Sequence, residues 1–249
     1  MGVKIPFAIK DNKIIHIDQI PLDEKGLACN CTCIDCGEQL IARIAGTKRE
    51  KHFAHKMDVE CYGGGETAIH LFAKQIFSEY KQLCLPELGV EYDEQATNEG
   101  SFRYCNSLDD IKERQESYKD FYETNLKVEE ICKSQLMQFD EVQTEKKISE
   151  IIPDIILYRN GTELLVEIKV THGIDDEKFK KIKKLNISTI EIDVSEYKES
   201  FNKMTYEELR KIFINDTSNK KWIYNKKAKE FIYNQKEKNK QAINEKERK

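Results

Sequence analysis

The sequence predicts an α+β protein with a β-rich N-terminal module, a mixed core and a helical C-terminal tail. Three observations support this prediction. Short alternating segments and a dense group of cysteines and histidines fill residues 1–62. Over residues 63–200 the apolar spacing changes between the helical and the strand periods, in the element order αβββαβ. Residues 201–249 are rich in lysine and follow a helical pattern. These three ranges are the predicted domains.

The N-terminal module opens with two apolar segments that are typical of a β-hairpin. Their sequences are VKIPFAI and KIIHID, and they flank Asp11 and Asn12. Asp and Asn tolerate the left-handed backbone that a tight hairpin turn requires. The module is therefore predicted to begin with two paired strands.

Behind this hairpin, cysteines and histidines have the spacing of a zinc finger. The C-x-x-C pair lets two thiolates bind one tetrahedral zinc, and a histidine and a cysteine downstream complete a structural site without an open position. The preferred ligands are Cys33, Cys36, His55 and Cys61. His52 is the alternative to His55, because these two residues of an extended HFAH segment point to opposite faces. Cys29 and Cys31 lie close in sequence, so ligand exchange with them stays open.

The core begins with an amphipathic helix over Glu66–Tyr80. Its apolar residues recur at helical spacing: Ile69, Phe72, Ala73, Ile76, Phe77 and Tyr80. Residues 83–137 are predicted to form a helical insertion to which no chemistry is assigned. The composition of SLDDIKERQESYKDFYETNLKVEEICKSQLM favours a helix, and Ser107 suits its N-cap.

Strand-like alternation returns from Phe139. Three strands are predicted in FDEVQTEKKI, IIPDIILY and ELLVEIKV, with a tight turn at Asn160 and Gly161 between the last two. A short amphipathic helix follows in DDEKFKKIKKL, capped by Asp175 or Asp176. A fourth strand is predicted in STIEIDVS.

Charged residues interrupt two of these apolar strands. In the third strand four apolar residues share one face: Leu164, Val166, Ile168 and Val170. Glu167 and Lys169 lie on the other face, and the hairpin brings Asp154 toward Glu167. A buried charge is costly unless it is paired or binds a metal. Two close carboxylates suit Mg²⁺, and Lys169 can orient a water or stabilise charge on a phosphate. An ordinary Glu–Lys pair on an exposed sheet face is the alternative.

These residues resemble those of known nucleases. The pattern P-D…E-x-K at Asp154, Glu167 and Lys169 is similar to that of the PD-(D/E)XK superfamily, whose core is restriction-endonuclease-like. The segments HFAH and ETAIHLFAK resemble the competence protein CoiA-like family, whose members join a Cys/His finger to such a core. Together the resemblances cover most of residues 28–75 and 139–195. They imply a nuclease with catalytic Mg²⁺ or Mn²⁺ and structural Zn²⁺, acting on DNA in uptake, recombination or defence against foreign DNA such as phage DNA.

The resemblance also assigns roles to the first helix. Glu66 becomes a candidate third carboxylate at the metal, and His70 lies one turn further along the same side. The alternatives are a glutamate that complements the helix dipole and a core histidine. In similar proteins the position of Lys169 is not always lysine, so His172 and Lys178 stay open as substitutes.

Composition sets the expected partners and location. The net charge is −4, but Asn219–Lys249 carries 11 Lys+Arg against 4 Asp+Glu, so the remainder of the chain is at −11. This basic tail suits contact with DNA phosphates, although a solvated helix gives the same pattern. No apolar run suits a signal peptide or a membrane span. A cytoplasmic protein without membrane contact is therefore expected, with its eight cysteines as thiols or metal ligands.

Two other classes of function fit the same sequence. One is a non-catalytic nucleic-acid-binding module that uses the zinc finger and the basic tail. The other is a subunit that forms a homo-oligomer or binds a partner protein through the 83–137 insertion or the C-terminal helices. Within the nuclease class, an endonuclease and an exonuclease fit the pattern equally well.

Overall fold

The N-terminal module is a five-stranded antiparallel sheet in the order β2-β1-β3-β4-β5. The computed structural model describes residues 4–45, 50–57, 59, 61, 64–108, 126–198 and 200–248. The strands are β1 (Phe7–Lys10), β2 (Lys13–His16), β3 (Gly26–Thr32), β4 (Gln39–Arg43) and β5 (His52–His55). Asp11 and Asn12 both have positive φ, at 49° and 61°, which matches the twist of a two-residue hairpin. The predicted hairpin is confirmed.

Helix α1 (Gly65–Tyr80) follows this module and joins it to the rest of the chain. Its buried residues form one stripe: Ala68, Ile69, Phe72, Ala73, Ile76 and Phe77. The Phe72 ring lies 4.8 Å from the ring of Phe7 in β1, and the amide of Ile14 donates to the side chain of Gln75. The predicted helix and its apolar face are confirmed, and that face also anchors the N-terminal sheet.

The prediction of a helical insertion over 83–137 is wrong for most of its described part. Five strands lie in and next to this range: β6 (Gln82–Leu85), β7 (Leu88–Asp93), β8 (Phe102–Cys105), β9 (Leu126–Cys132) and β10 (Gln135–Gln138). Strand β6 pairs with β10, and β7 lies between β8 and β9. Pairing with β7, whose Leu88 and Val90 are fully buried, outweighs the helix propensity of the Glu- and Lys-rich β9. Leu108, directly after Ser107, is helical, and the predicted helix over 109–125 lies outside the described residues.

The core sheet has the order β11-β12-β13-β14-β15. Its elements are β11 (Glu141–Thr144), β12 (Ile155–Arg159), β13 (Thr162–Lys169), α2 (Asp176–Leu185), β14 (Ser188–Asp193), α3 (Tyr206–Ile214), β15 (Lys220–Tyr224) and α4 (Lys226–Glu247). Strands β13 and β14 are parallel and are connected by α2, and the other pairs are antiparallel. Asn160 and Gly161 form the predicted turn at positive φ, and Asp175 caps α2 by accepting from the Lys178 amide.

The helical tail predicted from residue 201 contains a strand, so that prediction is wrong for Lys220–Tyr224. This strand pairs with β14 and closes one edge of the core sheet. Trp222 is buried and its indole nitrogen donates to the carbonyl of Pro86 at 3.0 Å. The segment is short and its lysines resemble those of the flanking helices, so the tertiary contacts of Trp222 decide its conformation. Among the helices of the described chain, none is long and apolar enough to cross a membrane.

The core sheet separates two apolar clusters, so the chain is a mixed α+β protein with helices on both sheet faces. The larger cluster contains α1 together with Leu164, Val166, Ile168 and Val170 of the β13 segment. The smaller one lies under α2 and contains Ile156, Leu165 and Ile182. Glu167 alternates with Val166 and Ile168 and therefore lies on the face that α2 covers.

Candidate functional site

The predicted zinc ligands come together in the N-terminal module. Their ligand atoms all lie within 4.8 Å of one another: Cys33 Sγ, Cys36 Sγ, one ring nitrogen of His55 and Cys61 Sγ. The sulfurs of Cys33 and Cys61 are 3.7 Å apart, and Cys36 Sγ lies 3.3 Å from Nε2 of His55. Three thiols and one imidazole around a single point suit tetrahedral zinc. The structure therefore contains a Cys₃His cluster compatible with a structural zinc site.

Backbone geometry explains how this cluster forms. The turn after β3 closes with hydrogen bonds from the Gly37 amide to the Cys33 carbonyl and from the Cys33 amide to the Glu38 carbonyl. Gly37 has φ +75°, a conformation that glycine adopts without strain. His55 ends β5 opposite Leu40 of β4. The neighbouring strands thus bring the histidine to the turn that carries the two cysteines.

The alternative zinc ligands, His52, Cys29 and Cys31, are not part of this cluster. The Nδ1 atom of His52 lies 2.9 Å from the backbone oxygen of Glu50. Cys29 Sγ donates to the Leu40 carbonyl, and Cys31 Sγ donates to the carbonyl of Cys29. Burial raises the pKa of Cys31 to about 12, which keeps this residue a thiol. Both cysteines fill the core of the module.

A second candidate site lies at the C-terminal end of β13, on the sheet face that α2 covers. A pocket of about 230 Å³ is lined there mainly by polar residues: His70, Asp154, Glu167, Lys169, His172, Lys178 and Glu191. The three residues of the predicted P-D…E-x-K pattern are among them. Helix α1, the end of β13, strand β14, the first turn of α2 and the loops before β12 and after β13 therefore supply a small cleft rich in charge.

Asp154 precedes β12 and is held by two contacts. Its Oδ2 atom accepts a hydrogen bond from the Ile168 amide at 2.8 Å, and its Oδ1 atom lies 3.5 Å from Nδ1 of His70. Burial raises the pKa of Asp154, but His70 and the Ile168 amide outweigh it and hold this pKa below its ordinary value. The carboxylate is thus ionised and fixed against the backbone next to Glu167.

Glu167 is a buried carboxylate, with only 5% of its surface exposed. Its Oε2 atom accepts from Nζ of Lys178 at 2.7 Å, whereas no group in the described chain donates to its buried Oε1 atom. Burial raises the pKa of Glu167 to about 7; Lys178 lowers that pKa, and the charges of Asp154 and Glu191 raise it. A buried acceptor without a donor is costly in a folded protein. Glu167 thus keeps one buried acceptor, Oε1, to which no group of the described residues donates.

Lys169 lines the same pocket but pairs with a different acid. Its Nζ atom lies 2.5 Å from Oδ2 of Asp193, the residue beside it in the parallel register of β13 and β14. This hydrogen bond raises the pKa of Lys169. The lysine that touches Glu167 is Lys178, which the sequence left open as a substitute.

Sequence reasoning missed Glu191 as a site residue. It lies beside Glu167 in the β13–β14 register and is 2% exposed. Its Oε2 atom accepts from the Ile174 amide, and Nζ of Lys221 lies 2.8 Å from its Oε1 atom. The available signal was the alternation of STIEIDVS, which puts Glu191 on the same face as the charges of the preceding strand.

Glu66 lies outside the pocket lining and reaches Asp154 only through His70. Both of its carboxylate oxygens accept from the hydroxyl of Thr171, at 2.8 and 2.9 Å. Nε2 of His70 lies 3.9 Å from Oε1 of Glu66, while the other ring nitrogen approaches Asp154. His172 also lines the pocket, and its Nδ1 atom lies 3.1 Å from the Thr171 hydroxyl. The imidazole of His70 therefore lies between the carboxylates of Glu66 and Asp154.

No family model matches the chain, and neither a curated protein nor a solved structure shows significant similarity to it.

Proposed function

We propose that the protein is a divalent-metal-dependent nuclease that hydrolyses phosphodiester bonds in DNA. The observation that carries this proposal is the buried Glu167, whose Oε1 atom lacks a donor in the described chain and which shares one pocket with an ionised Asp154. Hard carboxylate oxygens at such a point suit Mg²⁺ or Mn²⁺. The resemblance to PD-(D/E)XK nucleases supports the same assignment.

Asp154 and Glu167 would hold the cation. When bound, it would polarise the phosphate and lower the pKa of a bound water. His70 and the Ile168 amide keep Asp154 ionised and oriented. Lys169 and Lys178 bring positive charge to the rim, where a phosphate gains negative charge during the reaction. Water adds to phosphorus, one bond from phosphorus to a deoxyribose oxygen breaks, and the products end in a phosphate and a hydroxyl.

In the same proposal the Cys₃His cluster binds one zinc ion as a structural centre. Four protein ligands leave no position for a substrate. The zinc would stabilise the N-terminal sheet, which packs on α1 through Phe7 and Phe72. Because α1 carries His70, a folded finger also supports the pocket.

One observation favours a non-catalytic nucleic-acid-binding module instead. The ion pair between Lys178 and Glu167 neutralises the buried carboxylate without a metal. In that case the zinc finger and the basic tail would bind DNA or complete a larger complex. The two candidates differ in one measurable property, metal-dependent cleavage.

The test uses linear, circular and single-stranded DNA, incubated with purified protein in Mg²⁺, in Mn²⁺ or without added divalent cation. The nuclease proposal predicts cleavage only with a metal, and its loss in Asp154→Ala and Glu167→Ala. Glu163→Gln is the matched control, because this glutamate lies on β13 outside the pocket. Folded Asp154→Ala and Glu167→Ala proteins that cut at the wild-type rate would overturn the assignment. Absence of cleavage by the wild type on every substrate would favour the binding module.

A further inference from the structure

A second cavity, of about 360 Å³, lies where β8, α2, β15 and α4 meet. Its volume falls within the range of roughly 300–1,000 Å³ that is usual for small organic ligands. Five aromatic residues and three lysines from different elements line it, among them Phe102, Phe179, Tyr233, Lys183, Lys229 and Lys236. No phenylalanine, tyrosine or tryptophan of the described chain lines the carboxylate pocket.

The charge of this cavity is positive. One acid, Glu99, lines it against the three lysines, and its carboxylate lies 3.2 Å from Nζ of Lys183. Lys229, Tyr233 and Lys236 follow one another at intervals of four and three residues, so they share one face of α4. Nζ of Lys183 also lies 5.6 Å from the centroid of the Phe179 ring. Lysines and aromatic rings therefore lie next to one another in this cavity.

Tyr233 gives the cavity an exposed aromatic rim. It is 63% exposed and lies on the same face of α4 as Lys229 and Lys236. An exposed ring beside lysines matches the two parts of a nucleotide, because a base stacks on the ring and a phosphate pairs with the ammonium groups. An acidic peptide would use the lysines but would leave the rings without a flat partner.

We infer that this cavity binds a nucleotide, with its base stacked on the aromatic residues and its phosphate paired with the lysines. A nucleotide within a single strand and a free nucleotide share this chemistry. Lys178 and Lys183 lie on the same helix, about 7.5 Å apart along its axis at the usual helical rise. The inference deepens the proposed nuclease function and rests on it for the role of the strand, but binding itself needs no cleavage.

The test is a binding titration with the full-length protein and a fluorescein-labelled oligothymidylate, without added divalent cation. Tyr233→Ala should weaken binding roughly tenfold, since stacking on one ring is lost. Tyr233→Phe retains the ring and should bind like wild type. Lys236→Gln should weaken binding and lower the salt dependence by about one unit of slope. Ile243→Ala, at an exposed position of the same helix, and Lys180→Gln, at an exposed position of α2, lie outside the cavity and are controls that should change nothing.

Competitors identify the source of the nucleotide. If free thymidine monophosphate competes with the labelled probe, and Tyr233→Ala abolishes this competition, the cavity binds free nucleotides. If only unlabelled single-stranded DNA competes, the cavity binds a nucleotide within a strand. Three results would overturn the inference: no binding of either probe, wild-type affinity in Tyr233→Ala, or equal competition by polyglutamate. If cleavage depends on Asp154 but Tyr233→Ala does not change binding, the nucleotide-binding cavity is rejected and the proposed nuclease function stands. If Tyr233→Ala weakens binding but no cleavage depends on Asp154, the nuclease function is rejected and the nucleotide-binding cavity stands.

Discussion

Nζ of Lys178 lies 2.7 Å from Oε2 of Glu167, while Nζ of Lys169, from the same strand as that glutamate, lies 2.5 Å from Oδ2 of Asp193. The two lysines therefore neutralise different carboxylates at the edge of one pocket. In the proposed function, Lys178 is the cation with which a divalent metal would compete for Glu167. Lys169 is instead paired with Asp193. This difference separates the expected effects of their substitution.

Lys178→Met should raise the pKa of Glu167 further, because Lys178 lowers it. At a pH high enough to ionise Glu167 in the variant, Mn²⁺ binding should be tighter than in the wild type, because a competing ammonium is removed. Lys169→Met should leave Mn²⁺ affinity within about twofold of the wild type and slow cleavage roughly 100-fold, which is the usual effect of losing one group that stabilises developing charge. The measurements are calorimetric Mn²⁺ titrations and single-turnover cleavage at saturating metal.

Lys180→Met is the matched control for both substitutions, since this lysine is exposed on α2 outside the pocket. Equal Mn²⁺ affinity in wild type and Lys178→Met would show that the ammonium does not compete with the metal. A Lys169→Met protein that cuts at the wild-type rate would transfer the lysine role to Lys178 or His172.

The raised pKa of Glu167, about 7 against an ordinary 4.5, predicts a pH dependence of stability in the metal-free protein. The folded state holds this proton more tightly than the unfolded state. The contribution to stability is therefore fully present below pH 4.5 and is lost as the pH rises to about 7. The loss amounts to about 3 kcal/mol in the free energy of unfolding. Glu167→Gln should remove this dependence.

The measurement is urea unfolding of wild type and Glu167→Gln between pH 4.5 and 8, without divalent metal. The difference in stability between the two proteins should grow in favour of the variant across this range. Glu163→Gln controls for the loss of a negative charge from the same strand. A constant difference between wild type and Glu167→Gln at every pH would contradict the raised pKa. Saturating Mn²⁺ should reduce the pH dependence of the wild type, since the metal binds the ionised carboxylate.

Much of the core was predictable because its signals are local. The turn at Asn160 and Gly161 needs residues that tolerate positive φ, and the cap at Asp175 needs a short acceptor. Each requirement is met within a few residues of sequence. The alternation around Glu167 likewise fixes which side chains share a sheet face, so Asp154 and Lys169 were found with it.

The errors fall where distant contacts decide the structure. Strand β9 is rich in helix formers, and pairing with the buried strand β7 makes it extended. Strand β15 depends on Trp222, whose partner Pro86 is 136 residues away in sequence. The contact between Lys178 and Glu167 depends on how α2 crosses the sheet between two parallel strands. No short pattern encodes that crossing, so the sequence did not predict this contact, and the role of Lys169 stays a prediction.

The Cys₃His cluster predicts about one zinc per chain in freshly purified protein, measured by elemental analysis. Cys36→Ser should lose the metal and unfold the N-terminal sheet, because a structural zinc contributes directly to folding. Cys36 is exposed, so the loss cannot come from core packing. Cys84→Ser removes a cysteine outside the cluster, and His52→Gln removes the alternative histidine, and both should keep the zinc. Loss of zinc in His52→Gln with retention in His55→Gln would contradict the assigned ligand set.

The path from Glu66 through His70 to Asp154 predicts that the first-helix acid acts indirectly. Glu66→Gln should weaken Mn²⁺ binding roughly tenfold, as expected for a residue that orients a ligand's partner. In a His70→Gln background the same change should have little further effect, because the path is already broken. Thr171→Val should resemble Glu66→Gln, since the threonine hydroxyl contacts both oxygens of that carboxylate. Glu79→Gln, on the same helix but outside the pocket lining, is the control. Additive losses in the Glu66→Gln, His70→Gln double variant would instead make Glu66 a direct metal ligand.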